Sequence, residues 1–234
     1  MSKGFFIAGT DTGVGKTIMA GAMIKALSFL GHRVGAMKPV ESGCGREGDL
    51  LVPFDGMFLK QTAHMDEPVT LVTPCCFESH LAPLAASEIE KKEVDTSEIR
   101  RAFKGLSAKY GVMIVEGIGG LMVPVKKDYY VADLAKEFGL PLLLVARPGL
   151  GTVNHTMLTI RCALGEGLEV AGVIINYSKP PQESLAEKTN PKLLAQICPV
   201  PIIGIFPYLS ILDEDSIAMA AIKNLDLEVL KKYL

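Results

Sequence analysis

Gly9-Thr10-Asp11-Thr12-Gly13-Val14-Gly15-Lys16-Thr17 decides the fold of this 234-residue chain. Residues 5–8 before it (Phe-Phe-Ile-Ala) form an apolar run of strand type, and residues 18–27 after it read as a helix. Strand, glycine-rich turn and helix together are the context of a phosphate-binding loop. Glycines let successive backbone N–H groups turn toward an anion, and the helix N-terminus adds unpaired N–H groups and partial positive charge. Lys16 brings a full positive charge to the outer phosphates, and Thr17 offers a hydroxyl to magnesium. Gly13, Val14, Gly15, Lys16, Thr17 and Ile18 are thus candidates for nucleotide binding. The usual pattern G-x-x-x-x-G-K-[ST] wants glycine where this chain has Thr10, with Gly9 one place early, so the loop is a variant.

Outward from the loop, apolar strand-like runs alternate with helical stretches. Residues 33–38, 112–116, 140–146, 170–175 and 201–206 read as strands, while residues 55–63, 96–109, 131–138, 152–165 and 183–197 read as helices, with closing helices over 212–234. Residues 69–77 are apolar but interrupted by Pro74, which suits an edge strand or a loop. The alternation predicts an α/β fold: one doubly wound, mostly parallel sheet with helices on both faces, in a single domain spanning residues 1–234. A hydrophobic content of 49% fits parallel strands buried on both faces. No apolar run reaches membrane-spanning length, and the chain enters a strand at once, without a signal-peptide pattern. A net charge of −2 argues against nonspecific nucleic-acid binding. The odd count of 5 cysteines, with no C-x-x-C pair, argues against a disulfide framework or zinc site and for a reduced, cytoplasmic compartment. Adjacent Cys75 and Cys76 read as small apolar fillers.

In such a sheet ligands bind beyond the carboxyl ends of the strands. Lys16, Lys38, Glu116 and Asn176 each stand at or just after such an end, and the expectation is that they converge on one edge. Lys38 is expected beside the loop strand, Glu116 before a Gly117-Ile118-Gly119-Gly120 turn. A phosphate-binding-loop enzyme holds magnesium with the loop threonine and a strand-end acid. Thr17 and Glu116 fit that description with Asp55 as a third oxygen ligand, although Asp49 competes for the place. Lys38 is a second lysine near the γ-phosphate, able to neutralise charge during phosphoryl transfer or to hold a carboxylate-like nucleophile. His155 reads as a structural residue in a helical first turn, whose free N–H groups over residues 151–154 suit another anion.

Four motifs, G-T-D-T-G-V-G-K-T, K-P-V-E-S-G from Lys38, V-E-G-I-G-G around Glu116 and G-T-V-N-H-T-M-L-T from Gly151, together resemble the dethiobiotin synthetase family, in order and spacing over essentially the whole chain. Threonine at the first glycine position of the loop belongs to that family's own pattern. The resemblance implies an ATP-dependent ring closure in biotin synthesis, from 7,8-diaminononanoate and CO2 or bicarbonate, through a carbamic–phosphoric anhydride. It implies that Lys16 and Lys38 stabilise phosphoryl transfer, that Thr12 and Ser42 contact the substrate, and that Thr17, Asp55 and Glu116 hold Mg2+. Gly117, Ile118 and Gly119 would border the nucleotide, with Asn176, Tyr177 and Pro207 toward the adenine. It implies a homodimer in which Gly151, Thr152, Val153 and Asn154 bind the substrate carboxylate across the interface. Many relatives carry an acid where this loop has Gly13, so here only the backbone can serve. The chromosome-partitioning and nitrogenase-iron-protein ATPases share the expected fold, but their loop usually carries a second lysine where this chain has Asp11. A cobyrinic acid amidotransferase synthetase needs a glutaminase domain for which 234 residues leave no room.

Overall fold

The computed structural model describes residues 3–234. Its centre is a six-stranded, all-parallel sheet. In chain order the first half consists of β1 (Lys3–Gly9), α1 (Lys16–Phe29), β2 (Val34–Met37), β3 (Val40–Ser42), β4 (Gly45–Glu47), β5 (Leu50–Val52), α2 (Phe54–Thr62), α3 (Val69–Val72), β6 (Cys75–Phe77), α4 (Pro83–Glu90) and α5 (Thr96–Lys109). The second half consists of β7 (Val112–Gly120), β8 (Pro124–Lys126), β9 (Tyr129–Tyr130), α6 (Val131–Phe138), β10 (Leu142–Ala146), α7 (Thr152–Gly165), β11 (Val170–Asn176), α8 (Leu185–Ile197), β12 (Ile202–Phe206), α9 (Glu214–Asn224) and α10 (Leu227–Lys231).

The sheet order is β12-β11-β10-β1-β7-β2. The chain steps from β1 out to β2, returns to insert β7 between them, then crosses to β10 on the other side of β1. The crevice where the winding direction changes therefore opens at the carboxyl end of β1, which is where the loop begins. Successive side chains of β1 point to opposite faces and both are covered: Phe5 meets Tyr233 edge-on at 5.8 Å, and Phe6 packs against Phe138 of α6, itself stacked on Phe103 of α5 at 4.0 Å. Every residue of β2, β10 and β11 is buried, the continuous apolar reading of a doubly covered parallel sheet.

Three expectations need correction. β2 is not beside the loop strand, because β7 lies between them and Lys38 reaches the site across it. The Gly117–Gly120 stretch is not a turn but the last part of β7. A register shift against β1 after Ile7 lets Gly120 pair with Gly9. Residues 69–77 are neither one strand nor a loop. Pro74 splits them into the turn of helix α3 and the short β6, which pairs in parallel with β3 in a separate two-stranded ladder outside the main sheet.

On the flank of β2, the Tyr110 hydroxyl donates to the Glu67 carboxylate at 2.6 Å, and Lys109 pairs with the same acid. Burial opposes the Glu67 charge, but Lys109 and Tyr110 outweigh it and hold its pKa down at about 2, against an ordinary 4.5. A folded-state pKa below the unfolded one gives stability that is present above the unfolded value and lost as pH falls through the folded one. Tyr110→Phe is expected to lower the unfolding free energy by about 1–2 kcal/mol at neutral pH. That deficit should shrink as pH falls from 4.5 toward 2, read from urea melts at a series of pH values.

Candidate active site

The loop between β1 and α1 is shaped by two glycines. Gly13 and Gly15 have φ of 75° and 90°, the left-handed region that side chains disfavour. Gly15 is also the N-cap of α1 and supplies no side chain to its amides, which stay free for an anion. Thr10 needs no glycine, since its φ is not positive and its N–H simply extends the β1–β10 ladder to the Val145 carbonyl at 2.9 Å. Gly9 is the residue that must be small: a β-carbon there would lie 2.6 Å from the Asp11 carbonyl oxygen and 3.0 Å from Lys16 Nζ. The departure from the usual loop pattern thus has a steric reason.

Lys16 is buried, folded back over the loop with Nζ donating to the Asp11 carbonyl at 3.3 Å. Burial, and then the Lys38 charge, lowers its pKa to about 8. Lys38, just past β2, is buried at 3% exposure. Its ammonium lies 2.5 Å from Glu116 Oε1, 3.1 Å from Asp55 Oδ2 and 3.3 Å from the Gly117 carbonyl. Burial works against that charge, yet Glu116 and Asp55 outweigh it and hold the Lys38 pKa above the ordinary lysine value. Thr17 donates its hydroxyl to the same Glu116 oxygen at 3.0 Å, while Glu116 Oε2 is buried with no partner. Thr17, Glu116 and Asp55 therefore face one another around Lys38, with an orphaned carboxylate oxygen suited to a cation. Among the described residues no group of three or more His, Cys, Asp or Glu converges, and magnesium held largely by phosphates and water requires none. Asp49 sits in the exposed turn between β4 and β5 and does not line the cavity, whereas Asp55 does.

These side chains line one cavity of about 600 Å³, together with Thr12, Gly13, Gly15, Ser42, Ile118, Gly119 and Glu41. A protein-family model described as an AAA domain matches residues 3–216. A protein of Thermodesulfovibrio yellowstonii named ATP-dependent dethiobiotin synthetase is 48% identical over 237 residues, covering 98% of this chain and 99% of that one. Its namesake in Bacillus subtilis strain 168 is 37% identical over 229 residues, covering 97% of each. The chain belongs to the dethiobiotin synthetase family.

Two solved structures share this synthetase's fold. The Pyrococcus horikoshii septum site-determining protein MinD, complexed with Mg-ADP, superposes with a TM-score of 0.53 at 18% identity, over 98% of this chain and 89% of that one. A ParA family ATPase from Chlorobium tepidum gives 0.53 at 14% identity, over 99% and 93%.

The remaining expected residues fall into two groups. Ile18 lies in α1 and is partly buried against the core, and Gly117 is buried beneath Lys38. Tyr177 and Pro207 follow β11 and β12 and stand outside the main cavity. Thr152, Val153 and Asn154 form the first turn of α7, with Gly151 as its N-cap at φ 89°, and these four also stand outside the cavity. His155 follows them, its Nδ1 3.8 Å from Asp11.

Two roles escaped the sequence. Asn176, expected near the adenine, braces the loop, its Nδ2 donating to the Val14 carbonyl at 2.8 Å, with Ser178 donating to Gly13 at 3.3 Å. Glu41 sits inside the K-P-V-E-S-G motif, but nothing in that motif assigns it a task. In the structure it is 4% exposed and accepts the N–H groups of Asp55 at 3.0 Å and Gly56 at 2.9 Å. Burial pushes its carboxyl up to about 7 against the pull of those amides.

Asn176→Asp turns the donor that faces the Val14 carbonyl into an acceptor. It should cost about 1–3 kcal/mol of stability and weaken nucleotide binding, read by urea denaturation and titration calorimetry. Unchanged values in both would show that this contact does not hold the loop.

Proposed function

We propose that this ligase carboxylates one amine of 7,8-diaminononanoate with CO2, activates the carbamate with ATP and closes the ureido ring. The observation that carries this reading is the single cavity, in which the phosphate loop and two buried lysines stand beside Thr12 and Ser42. Membership of a family of C–N-bond-forming ligases gives it direction. An amine and CO2 give a carbamate and a proton. A carbamate oxygen attacks the γ-phosphorus, the bond to ADP breaks, and a carbamic–phosphoric anhydride forms. The second amine then attacks the carbonyl carbon, phosphate leaves, and its proton is released.

The physical difficulty is the middle step, which presses an anionic carbamate against an anionic triphosphate, and like charges repel at contact distance. Lys38 is protonated by its surroundings and shares a Glu116 oxygen with Thr17 at the start of α1, so it would screen one anion from the other, most strongly as charge develops in the transition state. Lys16 and the α1 amides take the outer phosphates. Thr17, Glu116 and Asp55 would hold Mg2+, which neutralises phosphate charge when bound. Thr12 and Ser42 border the diamine.

Gly151 to Asn154, at the start of α7, stand outside this cavity, beside Leu150 at 87% exposure. That placement supports a homodimer in which the turn completes the partner's site and receives the substrate carboxylate. Cytoplasmic location is supported by five free thiols and a reaction fed by ATP. Among the described residues no helix is long and apolar enough to cross a membrane.

The purified protein should form dethiobiotin only with diamine, bicarbonate, ATP and Mg2+ all present, followed by mass spectrometry of the product. Nucleotide hydrolysis that proceeds equally without the diamine would favour a partner-regulated switch of the chromosome-partitioning or nitrogenase-iron-protein type and overturn the proposal.

Lys38→Ala should reduce product formation by roughly 10²-fold or more, the scale of losing one preorganised electrostatic contact. ATP affinity should fall much less, because Lys16 and the loop amides remain. Removing Lys38 also strips Glu116 of its buried partner, so circular dichroism and a thermal melt must accompany the assay. An equal fall in both quantities would make Lys38 a nucleotide ligand only.

A further inference from the structure

Helix α2 begins without a cap of its own. Its N-cap residue is Pro53, which offers no side-chain hydrogen bond, although the first turn leaves backbone N–H groups unpaired. An N-cap side chain normally accepts from the second and third helical residues, here Asp55 and Gly56. Glu41 fills that office from 14 residues away, accepting from Asp55 N at 3.0 Å and Gly56 N at 2.9 Å. It does so from the middle of the small β3–β6 ladder, where it pairs with Cys76. The fit is close. A β-carbon at Gly56 would lie 1.8 Å from Thr73 Oγ1, so glycine lets the helix start settle against Thr73 while its N–H meets Glu41.

Asp55 is the residue whose amide this cap takes, and its own carboxylate reaches inward to Lys38 Nζ at 3.1 Å. A buried acid in the wall of an anion-binding cavity is costly and works against phosphate. Capping a nine-residue surface helix does not by itself explain that choice, since serine or aspartate in place of Pro53 would serve. We propose that Glu41 is a positioning residue, which fixes the α2 N-terminus so that the Asp55 carboxylate is held toward the magnesium site beside Glu116 and Thr17. In this role Glu41, which also borders the cavity, acts on the metal through Asp55. The inference rests on the reading of Asp55 as a magnesium ligand, and the test separates the two.

The measurement is Mn2+ binding to the full-length protein with ADP, by electron paramagnetic resonance, set beside ADP binding in EDTA by calorimetry. Glu41→Ala should raise the Mn2+ dissociation constant about tenfold, the scale of losing a helix cap, and leave metal-free ADP affinity within about twofold. Glu41→Gln keeps one acceptor oxygen and should recover part of the loss. Asp55→Ala should weaken Mn2+ binding at least as much, and adding Glu41→Ala to it should cost nothing further, because the first change acts only through the second residue. If Asp55→Ala weakens Mn2+ binding and Glu41→Ala does not, the positioning role is overturned while the magnesium reading stands. If Glu41→Ala lowers metal-free ADP affinity equally, the residue supports the cavity as a whole, and the positioning role is again overturned. If Asp55→Ala leaves Mn2+ binding unchanged, the magnesium reading fails and the positioning role falls with it. Should Glu41→Ala not fold, Glu41→Gln carries the same comparisons.

Discussion

The buried contact between Lys38 and Glu116 is the constraint on which the site depends. It joins the residue just past β2 to the middle of the adjacent β7, at 2.5 Å, and the same Glu116 oxygen takes the Thr17 hydroxyl from α1. Two charges withdrawn from water are tolerable only if each finds partners, and removing either strands the other at a cost of about 3–5 kcal/mol. The pair therefore fixes the spacing between the phosphate loop and the wall that carries Ser42 and Glu41. Acid and base are present in near balance there, with Lys16 and Lys38 facing Glu41, Asp55 and Glu116.

The loop itself is held from three directions. Val145 fixes Thr10 from β10, Asn176 fixes Val14 from β11, and Ser178 fixes Gly13 from just beyond it. Gly15 could not be any larger residue, because its β-carbon would lie 2.2 Å from the Asn176 amide nitrogen. This is preorganisation in a literal sense. The amides that would receive phosphate are aimed before any ligand arrives, so little reorganisation is required at the moment of reaction.

Much of this was legible in the chain. The alternation of apolar runs with helical stretches gave the doubly wound sheet, because strands covered on both faces cannot be other than continuously apolar. The loop, Thr17, Glu116 and Lys38 stood out because charged residues at the ends of such runs have few other reasons to be there. The Gly117–Gly120 run was misread because glycines signal turns locally, whereas its pairing with Gly9 across a register shift is a contact with a distant strand. Glu41 passed unassigned because its partners, Asp55 and Gly56, are backbone amides, which carry no signature in the identity of a residue.

The sequence by itself determined which segments supply the six strands of the main sheet, where the anion-binding loop lies and which charged side chains end up at one sheet edge. Periodicity, glycine placement and burial of apolar runs are local properties that a single chain displays. Only the tertiary structure decided the strand order, and with it that Lys38 approaches across β7 rather than from beside β1. It alone decided that Asp55 rather than Asp49 faces Lys38, that Asn176 braces the loop, and that Glu41 caps a helix 14 residues away. Those outcomes depend on which residues share a volume after the crossovers close. That is set by the packing of whole elements, and no stretch of sequence contains it.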